Sequence, residues 1–164
     1  MSRRIFIPSE GYSQRKQLAD CQFTFFCEQD VDLWVTLNFN QERSKNAVRH
    51  QFRALLARVD REHLGPRWCR KHADERTFAI GVIENPQSNI HLHALWRMPG
   101  QVRKSNYGAQ AHSIKAHWHK LQPAGSCFIR PIEDFGAARY MCKQLHRSGH
   151  IEDCLILSTE FHNR

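Results

Sequence analysis

Apolar and polar residues alternate in some stretches of this chain and recur at helical intervals in others. Val31-Asp-Leu-Trp-Val-Thr-Leu-Asn-Phe39 has the period of a strand, with Val35, Leu37 and Phe39 on a core face and Trp34, Thr36 and Asn38 on the other. From Ser44 to His63 the period lengthens: Val48, Phe52, Leu55, Leu56 and Val59 form one helical stripe, Ser44 is placed as N-cap, and Gly65-Pro66 stops the helix. Arg49, Arg53, Arg58 and Arg61 fall on its solvated side. Arg76 to Glu84 is rich in β-formers and Asn85-Pro-Gln-Ser-Asn89 is a turn cluster, so residues 76 to 98 read as a hairpin. Ile114, Trp118 and Leu121 mark a helix over about 110 to 121. Ser126 to Ile132 reads as a strand with Pro131 at its end or on an edge, Phe135 to His146 as a helix closed near Gly149, and Cys154 to Leu157 as a short strand.

The order strand, helix, strand, strand, helix, strand, helix predicts an α+β domain: an antiparallel sheet with its helices packed mainly on one face, leaving the other for a site. Residues 1 to 30 read as a basic N-terminal extension with some helix, ending at Phe23, Phe25 and Phe26, and residues 31 to 164 as one domain.

Charge adds a partner to this picture. Lys and Arg number 24 against 16 Asp and Glu, a formal net charge of +8, which favours a polyanion such as nucleic acid. The six cysteines lack the spacing of a zinc site, and no apolar run approaches the roughly 20 residues of a membrane helix. With no signal peptide in view, a soluble, cytoplasmic protein with reduced thiols is expected, most simply in a bacterial cytoplasm.

Within the hairpin, Asn89-Ile-His-Leu-His-Ala-Leu-Trp96 projects His91 and His93 to one side of a strand and Ile90, Leu92 and Ala94 to the other. If the strands pair across the turn, Glu84 comes near His91 on the same face. A carboxylate and two neutral imidazoles then suit a divalent ion with coordination positions left open. His117-Trp-His119 repeats the pattern on a helix, where residues two apart diverge, so those two are read as surface residues near phosphate. On the helix after residue 135, Tyr140, Lys143 and Gln144 lie within about one turn. The Tyr140 phenol would serve as a nucleophile toward a polarised phosphate, and Lys143 would supply positive charge where phosphoryl charge develops. Thr36 and Asn38 near a strand end, and Arg103 and Lys104 in the loop after the hairpin, are candidate DNA contacts.

The strand Trp34-Val-Thr-Leu-Asn-Phe39, the His91-Leu-His93 pair with Glu84 upstream, and Tyr140-x-x-Lys143 occur in an order that resembles the HUH endonucleases, specifically the single-tyrosine replication-initiator (Rep) type. The resemblance covers about residues 31 to 148. It implies a ferredoxin-like or RRM-like sheet with the two histidines on a central strand, Mg²⁺ or Mn²⁺ held by His91, His93 and Glu84, and attack by Tyr140 on single-stranded DNA. The products would be a 5′-phosphotyrosine link and a free 3′-hydroxyl, as in initiation of rolling-circle replication at an origin hairpin of a plasmid, phage or other mobile element. Residue 144 is glutamine, not a second tyrosine, which argues against the paired-tyrosine subfamily. Gln144 also resembles a metal ligand of insertion-sequence transposases, a possible extra ligand here. The chain has no Gly-Lys-Ser/Thr phosphate loop, so unwinding is expected from a host or element helicase. The alternatives are a transposase or relaxase of the same superfamily, or a non-catalytic single-strand-binding module stacking bases on Trp34 or Trp96.

Overall fold

The structure, a computed structural model, describes residues 14–85, 88–148 and 151–162. Helix α1 (Gln14–Cys27) precedes strand β1 (Leu33–Asn38), helix α2 (Lys45–Leu64), the hairpin strands β2 (Phe78–Glu84) and β3 (His91–Arg97), helix α3 (Tyr107–Leu121), strand β4 (Ser126–Pro131), helix α4 (Gly136–Ser148), the single turn α5 (Ile151–Cys154) and strand β5 (Leu155–Leu157). The five strands make one antiparallel sheet in the order β4-β1-β3-β2-β5. β1-α2-β2 and β3-α3-β4 are interlocked crossovers, each stepping over one strand of the other, which is the ferredoxin-like arrangement of the α+β class.

The local signals act as the residues dictate. Ser44 Oγ accepts from the Ala47 N–H at 3.2 Å, and Gly65 ends α2 at φ +81°, donating its N–H to the Arg61 carbonyl. Asn106 caps α3 by accepting from the Ala109 N–H at 2.9 Å, so that helix begins at Tyr107, ahead of the 110 read from periodicity. Asn85 enters the hairpin turn at φ +50°, a conformation asparagine tolerates; Pro86, Gln87 and Gly149 lie outside the described residues.

Alternation splits the apolar residues into two layers. Val35, Leu37, Leu92, Ala94 and Trp96 face α2 and α3 through Phe52, Leu55, Ile114 and Trp118. Gly81 on β2 has no side chain, and Phe52 fills that space; a Cβ there would meet Leu92 at 3.0 Å and Phe52 at 3.3 Å. Trp34, Ile80, Val82 and Leu95 face the opposite way, toward Ala137, Met141 and Leu145 of α4 and Phe26 of α1.

That second layer corrects the expectation of a bare face. α2 and α3 lie together on one side as expected, but α4 and α1 cover part of the other. Residues 14 to 27, assigned to an extension, form a docked helix: Phe26 is buried, and Phe23 meets Phe135 edge-on with ring centroids 6.3 Å apart. Residues 1–13, including Ser2-Arg-Arg4, lie outside the described residues. All six cysteines are free thiols, Cys142 and Cys154 buried. Among the described residues no helix is long and apolar enough to cross a membrane.

One buried charge ties α2 to the start of β2. Asp60, 1% exposed, accepts from the Thr77 N–H at 2.7 Å, the Thr77 hydroxyl at 2.6 Å and Arg76 Nε at 3.2 Å. Removing the carboxylate would leave the buried Arg76 cation uncompensated, a loss far larger than that of an exposed pair. Asp60→Ala is expected to lower unfolding stability by about 3–5 kcal/mol in urea titration. The exposed pair Lys71–Glu75 is the control: Glu75→Ala is expected to leave the urea midpoint close to that of the parent.

Candidate active site

Register delivers the site. In the β2–β3 pairing Glu84 stands opposite His91, as the hairpin reading requires, and Val82 stands opposite His93. On the other side of β3, Thr36 of β1 stands opposite His93 and Asn38 opposite His91. Directly opposed residues share a face, so Glu84, His91, His93, Thr36 and Asn38 gather on the side that α4 partly covers.

The His93 ring is held on every side. Its Nε2 lies 2.6 Å from Glu84 Oε2 and its Nδ1 lies 3.0 Å from Thr36 Oγ1. Trp34 stacks on the ring at 5.3 Å between centroids and 20° between planes, and Tyr140 approaches edge-on at 4.9 Å. A carboxylate only accepts, so this geometry assigns the ring proton to Nε2 and makes the Thr36 hydroxyl the donor to Nδ1. Tyr140 packs its edge on Trp34 as well, at 5.5 Å, and donates its hydroxyl to the same Glu84 Oε2 at 3.0 Å. One carboxylate oxygen therefore receives both His93 and Tyr140.

Burial and this carboxylate decide the protonation states. Burial is the strongest influence on His93 and pulls its pKa below the ordinary value, overriding the Glu84 carboxylate, which acts in the opposite direction. His93 is therefore neutral at physiological pH. Burial and then the Glu84 hydrogen bond and charge push the Tyr140 phenol up, against weaker opposing effects of Gln144 and Arg147. Tyr140 is thus a protonated phenol with its proton already directed at a carboxylate.

The other predicted residues divide clearly. Gln144 is buried at 4% exposure, and its side chain hydrogen-bonds Tyr140. Lys143 is exposed on the same helix. Thr36 and Asn38 are engaged within the protein: Thr36 with His93, and Asn38 Nδ2 with Ser126 Oγ at 2.8 Å. Arg103 sits toward the far end of β1, where Asp30 and Asp32 clamp its guanidinium, with Nε 2.8 Å from Asp32. It braces the loop to β1, and its donors are committed. Lys104 beside it is exposed. Of the helical pair, His117 donates toward Glu62 at 2.8 Å while His119 is exposed. Trp34 and Trp96, proposed from sequence as stacking surfaces, are 5% and 0% exposed and serve as packing.

The donor chemistry fits a divalent ion: one carboxylate, two imidazoles and a nearby buried amide. His91, His93 and Glu84 would hold it, with Gln144 in reach of the tyrosine. To ligate an ion, neutral His93 would have to exchange tautomer, moving its one ring proton from Nε2 to Nδ1 and donating it to Thr36 Oγ1, which frees the Nε2 lone pair. As described, however, the side chains close on one another. The His91 and His93 rings are stacked with centroids 6.3 Å apart, Glu84 Oε2 is spent on His93 and Tyr140, and among the described residues no three His, Cys, Asp or Glu side chains have metal-holding geometry.

Comparison of the chain with protein-family models, with curated proteins and with solved structures finds no match in any of the three.

The link between Tyr140 and Glu84 is open to titration. A phenol whose folded pKa is raised contributes stability below its unfolded value near 10, and that contribution is lost as pH rises through the folded value. In tyrosinate absorbance titration, the component missing from Tyr140→Phe should ionise above pH 10 in the parent protein. It should move down toward 10 in Glu84→Gln; an unchanged value would show that Glu84 does not control the phenol.

Proposed function

We propose that this protein is a metal-dependent, site-specific endonuclease and strand transferase for single-stranded DNA, of the single-tyrosine Rep type, which starts rolling-circle replication of a mobile element. The observation that carries the reading is the convergence of Tyr140 Oη and His93 Nε2 on Glu84 Oε2, on a partly open sheet face of a basic protein. An aromatic hydroxyl with a carboxylate to take its proton, beside two imidazoles, is a nucleophile arrangement.

The chain's own residues account for the chemistry in this order. Glu84 Oε2 accepts the phenol proton as Tyr140 Oη attacks the scissile phosphorus. The new Tyr140 O–P bond forms as the P–O3′ bond breaks in line, giving a 5′-phosphotyrosine link and a 3′-oxyanion that takes a proton from solvent to become the 3′-hydroxyl. Thr36 and Trp34 hold the His93 ring, and Glu84 with it, in position. Lys143 supplies positive charge for the departing oxygen. A bound divalent ion would polarise the phosphate. Attack by the 3′-hydroxyl reverses the path and reseals the strand, so one site both cuts and joins. The recognised DNA is an origin hairpin.

Buried Gln144, in contact with Tyr140, favours a second reading: a single-tyrosine transposase of the same superfamily, with Gln144 as a ligand. A transposase works as a stable dimer on element ends, so sedimentation together with cleavage of flanking repeats separates the two.

Labelled single-stranded DNA from the region flanking the gene, incubated with the protein and Mn²⁺ and run on a denaturing gel, should give a covalent band. The band should require the ion, vanish in Tyr140→Phe without loss of DNA binding, and fall at least about 100-fold in His91→Ala/His93→Ala. Tight binding with no covalent band under any divalent ion would instead identify a binding module.

A further inference from the structure

The sheet face beside the tyrosine carries an exposed aromatic that the chemistry above does not use. In the β1–β4 register Phe128 stands opposite Thr36, and Thr36 stands opposite His93, so Phe128, Thr36 and His93 form one cross-strand row. Ile129, between Phe128 and Arg130, is buried in the α2–α3 core; Ser126, Phe128 and Arg130 therefore point to the site side. α4 packs over β2 on this same face, three strands away in the sheet order, and Phe128 on edge strand β4 is left 59% exposed.

We propose that Phe128 is the stacking platform for a nucleobase of the bound single strand, next to the nucleotide whose phosphate Tyr140 attacks. This deepens the endonuclease reading and rests on it. Single strands are held by aromatic faces set among cations and hydroxyls, and the neighbours of Phe128 are of that kind. On one side, the exposed Arg130 keeps its guanidinium 6.0 Å from the Trp34 ring, in line with the site. On the other side, exposed Ser126 accepts from Asn38 Nδ2 through Oγ, which turns the hydroxyl's own proton outward as a donor for phosphate or base. Arg130 shares a recess of about 130 Å³ against Trp34 with Glu133 and Asp134, whose carboxylates disfavour a polyanion beyond the arginine. The strand is therefore directed along Phe128 toward the Ser126 end. Continuity with the Thr36–His93 row and this charge pattern favour DNA over a second copy of the chain as the occupant.

The test uses the whole protein, a fluorescein-labelled oligothymidine 20-mer and fluorescence anisotropy at several salt concentrations. Phe128→Ala should weaken binding about tenfold, and Phe128→Leu similarly, with the salt slope unchanged; Phe128→Trp should bind like the parent. Arg130→Ala should reduce the salt slope by about one. At saturating gene-flanking DNA, Phe128→Ala should still form the Tyr140 adduct. If Phe128→Ala binds as tightly as the parent while the adduct forms, the platform is wrong and the endonuclease reading stands. If instead Phe128→Ala turns a dimer into a monomer in sedimentation with affinity unchanged, this face is a subunit contact and the proposal fails. Loss of binding in Phe128→Ala from a parent that never forms an adduct would support the platform and remove the endonuclease.

Discussion

The register of the β2–β3 hairpin is the constraint on which the site depends. Glu84 opposite His91, and Thr36 opposite His93 on the next strand, put a carboxylate, two imidazoles and a hydroxyl on one face. Slipping the hairpin by one residue would turn that set into the α2–α3 core and bring Leu92 and Ile83 out. The apolar residues prevent the slip: Ile83, Leu92, Ala94 and Trp96 are buried at 2% exposure or less, so any shift would expose several of them at once. Packing on one side of the sheet thus holds the polar geometry on the other.

On the polar side, aromatic contact does what metal ligation or further hydrogen bonds do elsewhere. Trp34 stacks on His93 and Tyr140 packs on both, which buries an imidazole that would otherwise be free to protonate. The same burial keeps the phenol protonated, with Glu84 in contact with both groups. Positive charge lies at the periphery, on Lys143, Arg130 and Arg147, where it can meet a phosphate chain without charging the centre.

Much of this was legible in the sequence. Period-two alternation over β1 and β3 and turn residues 85 to 89 are local signals, and they were sufficient to predict the Glu84–His91 pairing. The α+β class followed from the order of elements. What was not legible depends on residues far apart in the chain. Arg103 reads as a loop cation until folding brings Asp30 and Asp32, some 70 positions earlier, onto its guanidinium. Asp60 reads as one more polar residue on a charged helix until Thr77 and Arg76 reach it. α1 reads as a tail because its aromatic residues are bunched at one end, and the sheet face and α4 together supply the surface that buries Phe26. Trp34 has the right face for a base, but its partners turn out to be His93 and Tyr140.

In the proposed reaction Tyr140 becomes covalently joined to the 5′ end of cut DNA. Trypsin cleaves after Arg139 and Lys143, so the adduct, trimmed with nuclease, should yield the peptide Tyr140-Met-Cys-Lys143 bearing one nucleotide. Mass spectrometry of the Mn²⁺-dependent reaction should find that mass, with fragmentation placing the phosphate on Tyr140. A nucleotide found on any other residue, or none on any peptide when DNA is demonstrably bound, would rule out Tyr140 as the nucleophile.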